Sequence, residues 1–184
     1  MNMRDGLARA LSTLGVLAAI ERIASRTDAL IVVNYHRVGD PDASSLNQSV
    51  FSVNQDGLDD QIKAIRKRYR LLNAAEALSV IEGKSRAKGT HVLSTFDDGY
   101  SDSVSSAMPV LKANDATPIF FLVTSYLDQP ATIAWWDKIA LFVRDHLGRR
   151  MQLPEFGISA DVDLANVDAL IDDFSQIVGA SPEE

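Results

Sequence analysis

Two adjacent carboxylates follow an apolar run in this chain. Asp97 and Asp98 come directly after residues 91–96 and are followed by Gly99 and Tyr100. Adjacent carboxylates repel each other, and a divalent cation is the usual remedy. Neighbouring strand residues face opposite sides, so both can serve one site only if the strand is already turning, which Gly99 permits. The pattern is typical of one Asp that binds a metal and another that acts as a base toward metal-bound water.

A second interpretation of these two residues is purely structural. Aspartate is common in turns and at the start of helices, and a helical pattern begins at Ser101. In that case Asp97 and Asp98 would mark a turn and cap the next helix. The Asp-Asp-Gly sequence alone does not separate the two interpretations.

The composition limits what the chain can do. It has 184 residues, enough for one domain with a core, together with a formal net charge of −7 and no cysteine. The negative charge argues against nucleic acid or an anionic membrane as the main partner. The absence of cysteine excludes disulfides, thiolate metal sites and cysteine nucleophiles.

The first residues predict an amphipathic helix rather than an export signal. Residues 11–20 are mostly apolar, but Asp5 stands among the basic residues before them. Glu21 and Arg22 follow where a cleavage site would need small residues. The apolar stretch is also too short to span a bilayer. We therefore expect an N-terminal helix over residues 1–28 and a cytoplasmic location.

Strands alternate with helices along the rest of the chain. Apolar runs predict strands at residues 29–35, 69–72, 91–96 and 118–123. Helical spacing of apolar residues predicts helices at residues 56–68, 74–82, 101–114, 137–147 and 164–178. The first strand is apolar except for Asn34, which predicts that it is covered on both faces. The alternation indicates a mainly parallel sheet in an α/β protein, either doubly wound or a β/α barrel.

This arrangement places the carboxylates where α/β proteins carry their sites, at the carboxyl end of a strand. His36 follows the first strand at the same end, and we expect it to bind substrate or support the site. Tyr100 follows the Asp pair, and we expect it to line the same cleft or to pack beside it. His91 begins its strand at the opposite end and is expected to be structural.

Three segments resemble the NodB-type polysaccharide deacetylases. The sequence TFDDGY at residues 95–100 is similar to the first motif of that family, and NYHRV at residues 34–38 is similar to the segment that opens its barrel. The sequence ATPIFFL at residues 116–122 resembles a later strand, and Trp135-Trp136-Asp137 resembles a segment of some members. The likeness spans roughly residues 30–140.

The resemblance implies a distorted β/α barrel that removes acetyl groups from N-acetylated polysaccharides or oligosaccharides. It implies a divalent metal, with zinc as the expected ion, Asp97 as general base and Asp98 as metal ligand. The metal would polarise the amide carbonyl and the attacking water and then stabilise the tetrahedral oxyanion. His36 and Tyr100 would then contact the substrate.

The chain departs from the family in its histidines. The family completes its metal site with two histidines four positions apart, whereas this chain has only His36, His91 and His146. We therefore expect an incomplete metal site, in either a portion of a longer protein or a degenerate, inactive remnant. The alternative function is a non-catalytic carbohydrate-binding or interaction module, which would need no metal.

The domain organisation follows from these patterns. We expect the N-terminal helix at residues 1–28, the first half of a deacetylase domain at residues 29–148, and an acidic, partly helical insertion or tail at residues 149–184. About four strands are predicted, whereas a β/α barrel needs seven or eight and typically ~250 residues. The barrel is therefore expected to be incomplete in this chain, with the rest supplied by a missing C-terminal half or by a partner.

Overall fold

A computed structural model of the protein describes residues 28–86, 88–128 and 132–179. The strands are β1 (Ala29–Tyr35), β2 (Arg37–Val38), β3 (Phe51–Val53), β4 (Arg70–Leu72), β5 (Thr90–Phe96), β6 (Ile119–Phe120), β7 (Arg150–Leu153) and β8 (Ile158–Asp161). The helices are α1 (Gln55–Arg68), α2 (Ala74–Ile81), α3 (Met108–Ala113), α4 (Thr124–Asp128), α5 (Trp135–Asp145) and α6 (Val167–Gly179). The predicted N-terminal helix falls almost entirely outside the described residues. None of the described helices is long and apolar enough to cross a bilayer.

A parallel sheet formed by β1, β5, β4 and β6 carries the site. β1 pairs with β5 along its whole length, with Ala29 opposite Thr90 and Tyr35 opposite Phe96. Along the other edge of β5, β4 pairs with residues 91–93 and β6 pairs with residues 95–96. All these pairings are parallel, so β1, β5 and β6 end at the same edge of the sheet. The predicted α/β class is confirmed, and the sheet is an open strip of parallel strands, as expected for the first part of a barrel.

The two long strands differ in burial, although both are apolar in sequence. Every residue of β5 is buried, because β5 is flanked by strands on both edges and covered on both faces. In β1, by contrast, Ile31 is 44% exposed and Val32 is 53% exposed. The prediction that the first strand is covered on both faces is therefore wrong. An apolar run indicates a strand that could be central, but its place in the sheet depends on the other strands.

The main core holds the carboxyl ends of the strands together. Tyr35 stacks on Phe96 with ring centroids 5.0 Å apart, and Phe96 stacks on Phe120 at 5.1 Å. These rings come from β1, β5 and β6. Leu58 and Ile62, both fully buried on α1, pack in the same cluster. Aromatic pairs of this kind contribute beyond their buried area, so they fix the edge of the sheet at which the chain turns.

A second core lies beyond the sheet. The helices α5 and α6 pack with the antiparallel hairpin of β7 and β8, and the buried residues are mainly aliphatic. Val143 of α5, Met151 of β7 and Ile171 of α6 are all at most 2% exposed. The predicted boundary at residue 148 thus falls between two elements that share this core. The first turn of α5 lies beside Tyr100, which follows β5.

Candidate active site

The chain turns sharply after β5, and this turn carries both carboxylates. Asp98 and Gly99 have φ angles of 68° and 70°, in the left-handed region. That conformation costs a residue with a side chain about 1 kcal/mol or more, although aspartate tolerates it better than most residues. A Cβ on Gly99 would lie 2.9 Å from Cδ2 of Leu122, so a glycine is favoured here by space as well as by φ. The strand alternation is therefore broken at Asp98, as the predicted site requires.

Asp97 is oriented by residues of two neighbouring strands. Nδ2 of Asn34 donates a hydrogen bond to Oδ2 of Asp97 at 3.0 Å. Oγ1 of Thr95 donates to Oδ1 of Asn34 at 2.9 Å, which turns the amide nitrogen of Asn34 toward the carboxylate. The backbone N–H of Asp97 donates to the carbonyl of Tyr35 at 2.9 Å. Asn34 was not predicted as a site residue, because a polar residue within an apolar strand carries no signal of its partner.

Asp98 is held in a more costly environment. Its side chain is 16% exposed, and its Oδ2 has no hydrogen-bond partner among the described residues. Burial raises the pKa of Asp98; the nearby His36 opposes this rise, and the charges of Asp97 and Asp137 add to it. Nε2 of His36 lies 4.0 Å from Oδ2 of Asp98. A buried carboxylate oxygen without a hydrogen bond is unfavourable, and a bound cation would satisfy it.

The described residues fit a divalent cation only in part. Asp98 and His36 offer an oxygen and a nitrogen donor close together, and both donor types suit zinc. Within residues 28–86, 88–128 and 132–179, no group of three His, Cys, Asp or Glu side chains is placed to hold a metal ion. Zinc sites in proteins use at least three protein ligands. The two donors therefore do not form a zinc site by themselves.

Tyr100 takes part in a partly buried hydrogen-bond network. Its hydroxyl donates to Oδ2 of Asp137 at 2.7 Å and accepts from Nε1 of Trp136 at 2.7 Å. Oδ1 of Asp137 accepts from the backbone N–H of Asn47 at 3.0 Å. Burial and the hydrogen bond to Asp137 raise the pKa of Tyr100, so its hydroxyl stays protonated. The sequence marked Asp137 only as part of a family-like segment, since an acid in the first turn of a helix is common.

An ion pair joins Arg37 of β2 to Asp102, two residues after Tyr100. Nε of Arg37 lies 2.8 Å from Oδ2 of Asp102, and both side chains are largely buried. Nη1 of Arg37 also donates to Oγ of Ser44 at 3.3 Å. The guanidinium lies over the ring of Phe51 at 4.0 Å and over the ring of Tyr100 at 4.8 Å. The segment around β2 is thereby attached to the residues that follow the turn.

A cavity of about 360 Å³ opens beside Asp98. Asp98, Tyr100 and Asp137 are among its polar lining residues, and Leu46 and Leu122 are among its apolar ones. A cavity lined by both polar and apolar residues suits a small organic ligand that has both kinds of surface.

The four predicted site residues come together at one edge of the sheet. Asp97, Asp98, His36 and Tyr100 all lie where β1 and β5 end. Their assigned roles as base, metal ligand and substrate contacts stay predictions. His91 lies in the amino-terminal half of β5, and its Nδ1 is 3.1 Å from the carbonyl of Gly89.

Known proteins resemble this chain in sequence and in structure. Residues 84–151 match the family model described as polysaccharide deacetylase. None of the curated proteins matches the sequence. A similar solved structure is IcaB from Ammonifex degensii, with 21% identity, a TM-score of 0.47, and coverage of 81% of this chain and 51% of that one.

Two further structures give comparable values. The Streptococcus pyogenes deacetylase PplD in complex with acetate has 20% identity and a TM-score of 0.45, covering 63% of this chain and 53% of that one. The de-N-acetylase from Aggregatibacter actinomycetemcomitans has 22% identity and a TM-score of 0.47, covering 72% of this chain and 61% of that one. The chain thus spans between 51% and 61% of the length of these three structures. The resemblance indicated by the Asp-Asp-Gly motif is confirmed over residues 84–151, the part of the chain that matches the family model.

Proposed function

We propose that this chain carries part of the active site of a metal-dependent enzyme that removes acetyl groups from N-acetylated polysaccharides. The turn after β5 carries the proposal. There, Asp97 is oriented by Asn34, and Asp98 has a buried, unpartnered oxygen beside His36. The family match over residues 84–151 includes this turn and supports the same reaction.

In the proposed reaction Asp97 is the general base. It takes a proton from the water that attacks the acetyl carbonyl, and its hydrogen bond from Asn34 keeps the carboxylate in one orientation. Asp98 supplies one metal ligand, and His36 either supplies a second or contacts the substrate. A bound divalent cation would polarise the acetyl carbonyl as a Lewis acid. We propose that the remaining ligands come from outside the described residues.

The cavity beside Asp98 is the proposed place for the acetylated sugar. A pyranose has apolar C–H faces and polar hydroxyl edges, and the cavity offers both kinds of wall. The hydroxyl of Tyr100 is already bonded to Asp137 and Trp136, so we propose that Tyr100 meets the sugar with its ring.

Zinc binding tests the role of Asp98 directly. Titration calorimetry with the 184-residue chain should give a dissociation constant that rises at least tenfold in Asp98→Ala. Asp145→Ala, an exposed carboxylate on α5, is the matched control and should bind zinc like the wild type. Equal affinity in the wild type and Asp98→Ala would refute the assignment of Asp98 as a ligand.

Acetate release tests the reaction. An N-acetylglucosamine oligomer with added zinc is the substrate. Asp97→Asn should lower whatever release the wild-type chain gives by about 10²–10⁴-fold, the usual contribution of a general base, while leaving zinc affinity within about twofold. Release that Asp97→Asn does not change would contradict the role of Asp97. Robust release by the wild-type chain would mean that its own residues complete the site.

A non-catalytic carbohydrate-binding module is the second candidate. It is favoured by the lack, in the described part of the chain, of three side chains placed to hold a metal. Such a module should bind the same oligomer in the presence of EDTA, with an affinity that Asp97→Asn does not change. Binding that disappears with EDTA would exclude it.

A further inference from the structure

We propose that Asp137 is a positioning residue that fixes the turn carrying Asp98, and that it does so by holding Tyr100. This inference rests on the role proposed above for Asp98. It assigns a task to a buried carboxylate that the proposed reaction does not itself use. Asp137 is 1% exposed and lies in the first turn of α5.

The hydrogen bonds of the Asp137 side chain lead away from its own helix. A helix-capping acid at this position would accept from the backbone at the start of the helix. Instead, Oδ2 accepts from the hydroxyl of Tyr100 at 2.7 Å and Oδ1 accepts from the N–H of Asn47 at 3.0 Å. The side chain therefore joins α5 to two other segments, of which one is the end of the turn.

Asp137 depends on these donors. Within the described part of the chain, no cationic side chain lies within ion-pair distance of it. A buried charge without an ion pair is costly unless it is hydrogen-bonded. The indole N–H of Trp136 donates to the hydroxyl of Tyr100, which in turn donates to Asp137, and successive donors of this kind strengthen one another. The network is thus stable only while Tyr100 stays in place.

The turn needs such an anchor. Asp98 and Gly99 are both left-handed, and a non-glycine residue keeps such a conformation only where its surroundings determine it. At the start of the turn, the N–H of Asp97 is bonded to the carbonyl of Tyr35. At the end, Tyr100 follows Gly99 directly and is bonded to Asp137. Loss of that second anchor should let Asp98 leave its left-handed, buried position.

Amide hydrogen exchange by NMR on the full chain, without metal or substrate, tests this proposal. In Asp137→Asn and in Tyr100→Phe, the amides of Asp97 and Ser103, which donate to the carbonyls of Tyr35 and Tyr100, should exchange about tenfold faster. The amides of residues 98–100 should change chemical shift. The indole N–H signal of Trp136 should also move in Tyr100→Phe, because its acceptor is removed. The matched controls, Asp145→Asn and Tyr69→Phe, should leave all these signals unchanged.

The amides of α6 separate positioning from simple loss of stability. They share a core with α5, so they should keep wild-type exchange if the effect is confined to the turn. Faster exchange spread equally over α6 and the amides of Asp97 and Ser103 would overturn the proposal. Wild-type exchange at these two amides together with wild-type chemical shifts at residues 98–100 would also overturn it. If Asp137→Asn does not fold, the exchange rates and chemical shifts of Tyr100→Phe are sufficient to test the proposal. Failure of the proposed function is recognised separately, by zinc affinity that Asp98→Ala does not change.

Discussion

Replacing Gly99 with alanine should destabilise the protein through two separable effects. The first is conformational, because Gly99 has a φ of 70°. Alanine in the left-handed region costs about 1–2 kcal/mol, of which about 0.4–1 kcal/mol is recovered from the lower entropy of the unfolded chain. The second effect is steric, because the new Cβ would lie 2.9 Å from Cδ2 of Leu122. Leu122 is 54% exposed, so it can move at a cost of about 1 kcal/mol.

The expected loss in the free energy of unfolding is therefore about 2 kcal/mol for Gly99→Ala. Gly83→Ala is the matched control, since Gly83 has a φ of 69° and no atom within 4 Å of an added Cβ. It should lose only the conformational part, about 1 kcal/mol. The double variant Gly99→Ala/Leu122→Ala removes the contact and should also lose about 1 kcal/mol relative to Leu122→Ala alone.

Urea unfolding followed by circular dichroism measures all four variants against the wild type. The slopes should be equal, so that midpoint shifts report stability. If Gly99→Ala loses no more than Gly83→Ala, the contact with Leu122 has no energetic consequence. If Leu122→Ala fails to reduce the effect of Gly99→Ala, the steric part of the reasoning is refuted.

Two further predictions concern the charges around the turn. Because burial raises the pKa of Asp98, its contribution to stability is fully present below about pH 4 and is lost as pH rises through the raised folded value. In urea unfolding, Asp98→Asn should therefore be as stable as the wild type at pH 3. At pH 7 it should be more stable than the wild type by about 1 kcal/mol, a value that allows for solvent screening. A stability difference that does not change with pH would contradict this prediction. Arg37→Lys should lose about 2 kcal/mol in the same assay, because lysine cannot keep both the buried pair and the stacking. Arg150→Lys, at an exposed pair with Asp161, should lose less than about 0.5 kcal/mol, and equal losses would refute the distinction.

Local sequence patterns predicted much of the fold. The strand predicted at residues 29–35 is β1, and the strand predicted at residues 91–96 lies within β5. The helix predicted at residues 56–68 lies within α1. These elements are long, and their apolar spacing is set by the geometry of one strand or one helix. The alternation of strands and helices then predicted the parallel sheet.

Short elements were predicted less well. The strand predicted at residues 118–123 is reduced to Ile119–Phe120, and the hairpin of β7 and β8 was not predicted. The length of a strand is decided by the partner with which it pairs. After β6, only the N–H of Phe121 continues the ladder, donating to the carbonyl of Phe96 at 2.8 Å. Beyond that residue, β5 has already turned away at Asp98.

The sequence by itself determined that two carboxylates and a glycine follow a strand and form a turn there. Carboxylates at positions 97 and 98 with a glycine after them are a local pattern, which can be recognised from adjacent residues alone. Only the tertiary structure decided which side chains hold that turn. Asn34 is 63 residues from Asp97, Arg37 is 65 residues from Asp102, and Tyr100 is 37 residues from Asp137. A hydrogen bond acts over about 3 Å, so such pairs depend on how the strands and helices pack, which the spacing of residues along the chain does not specify.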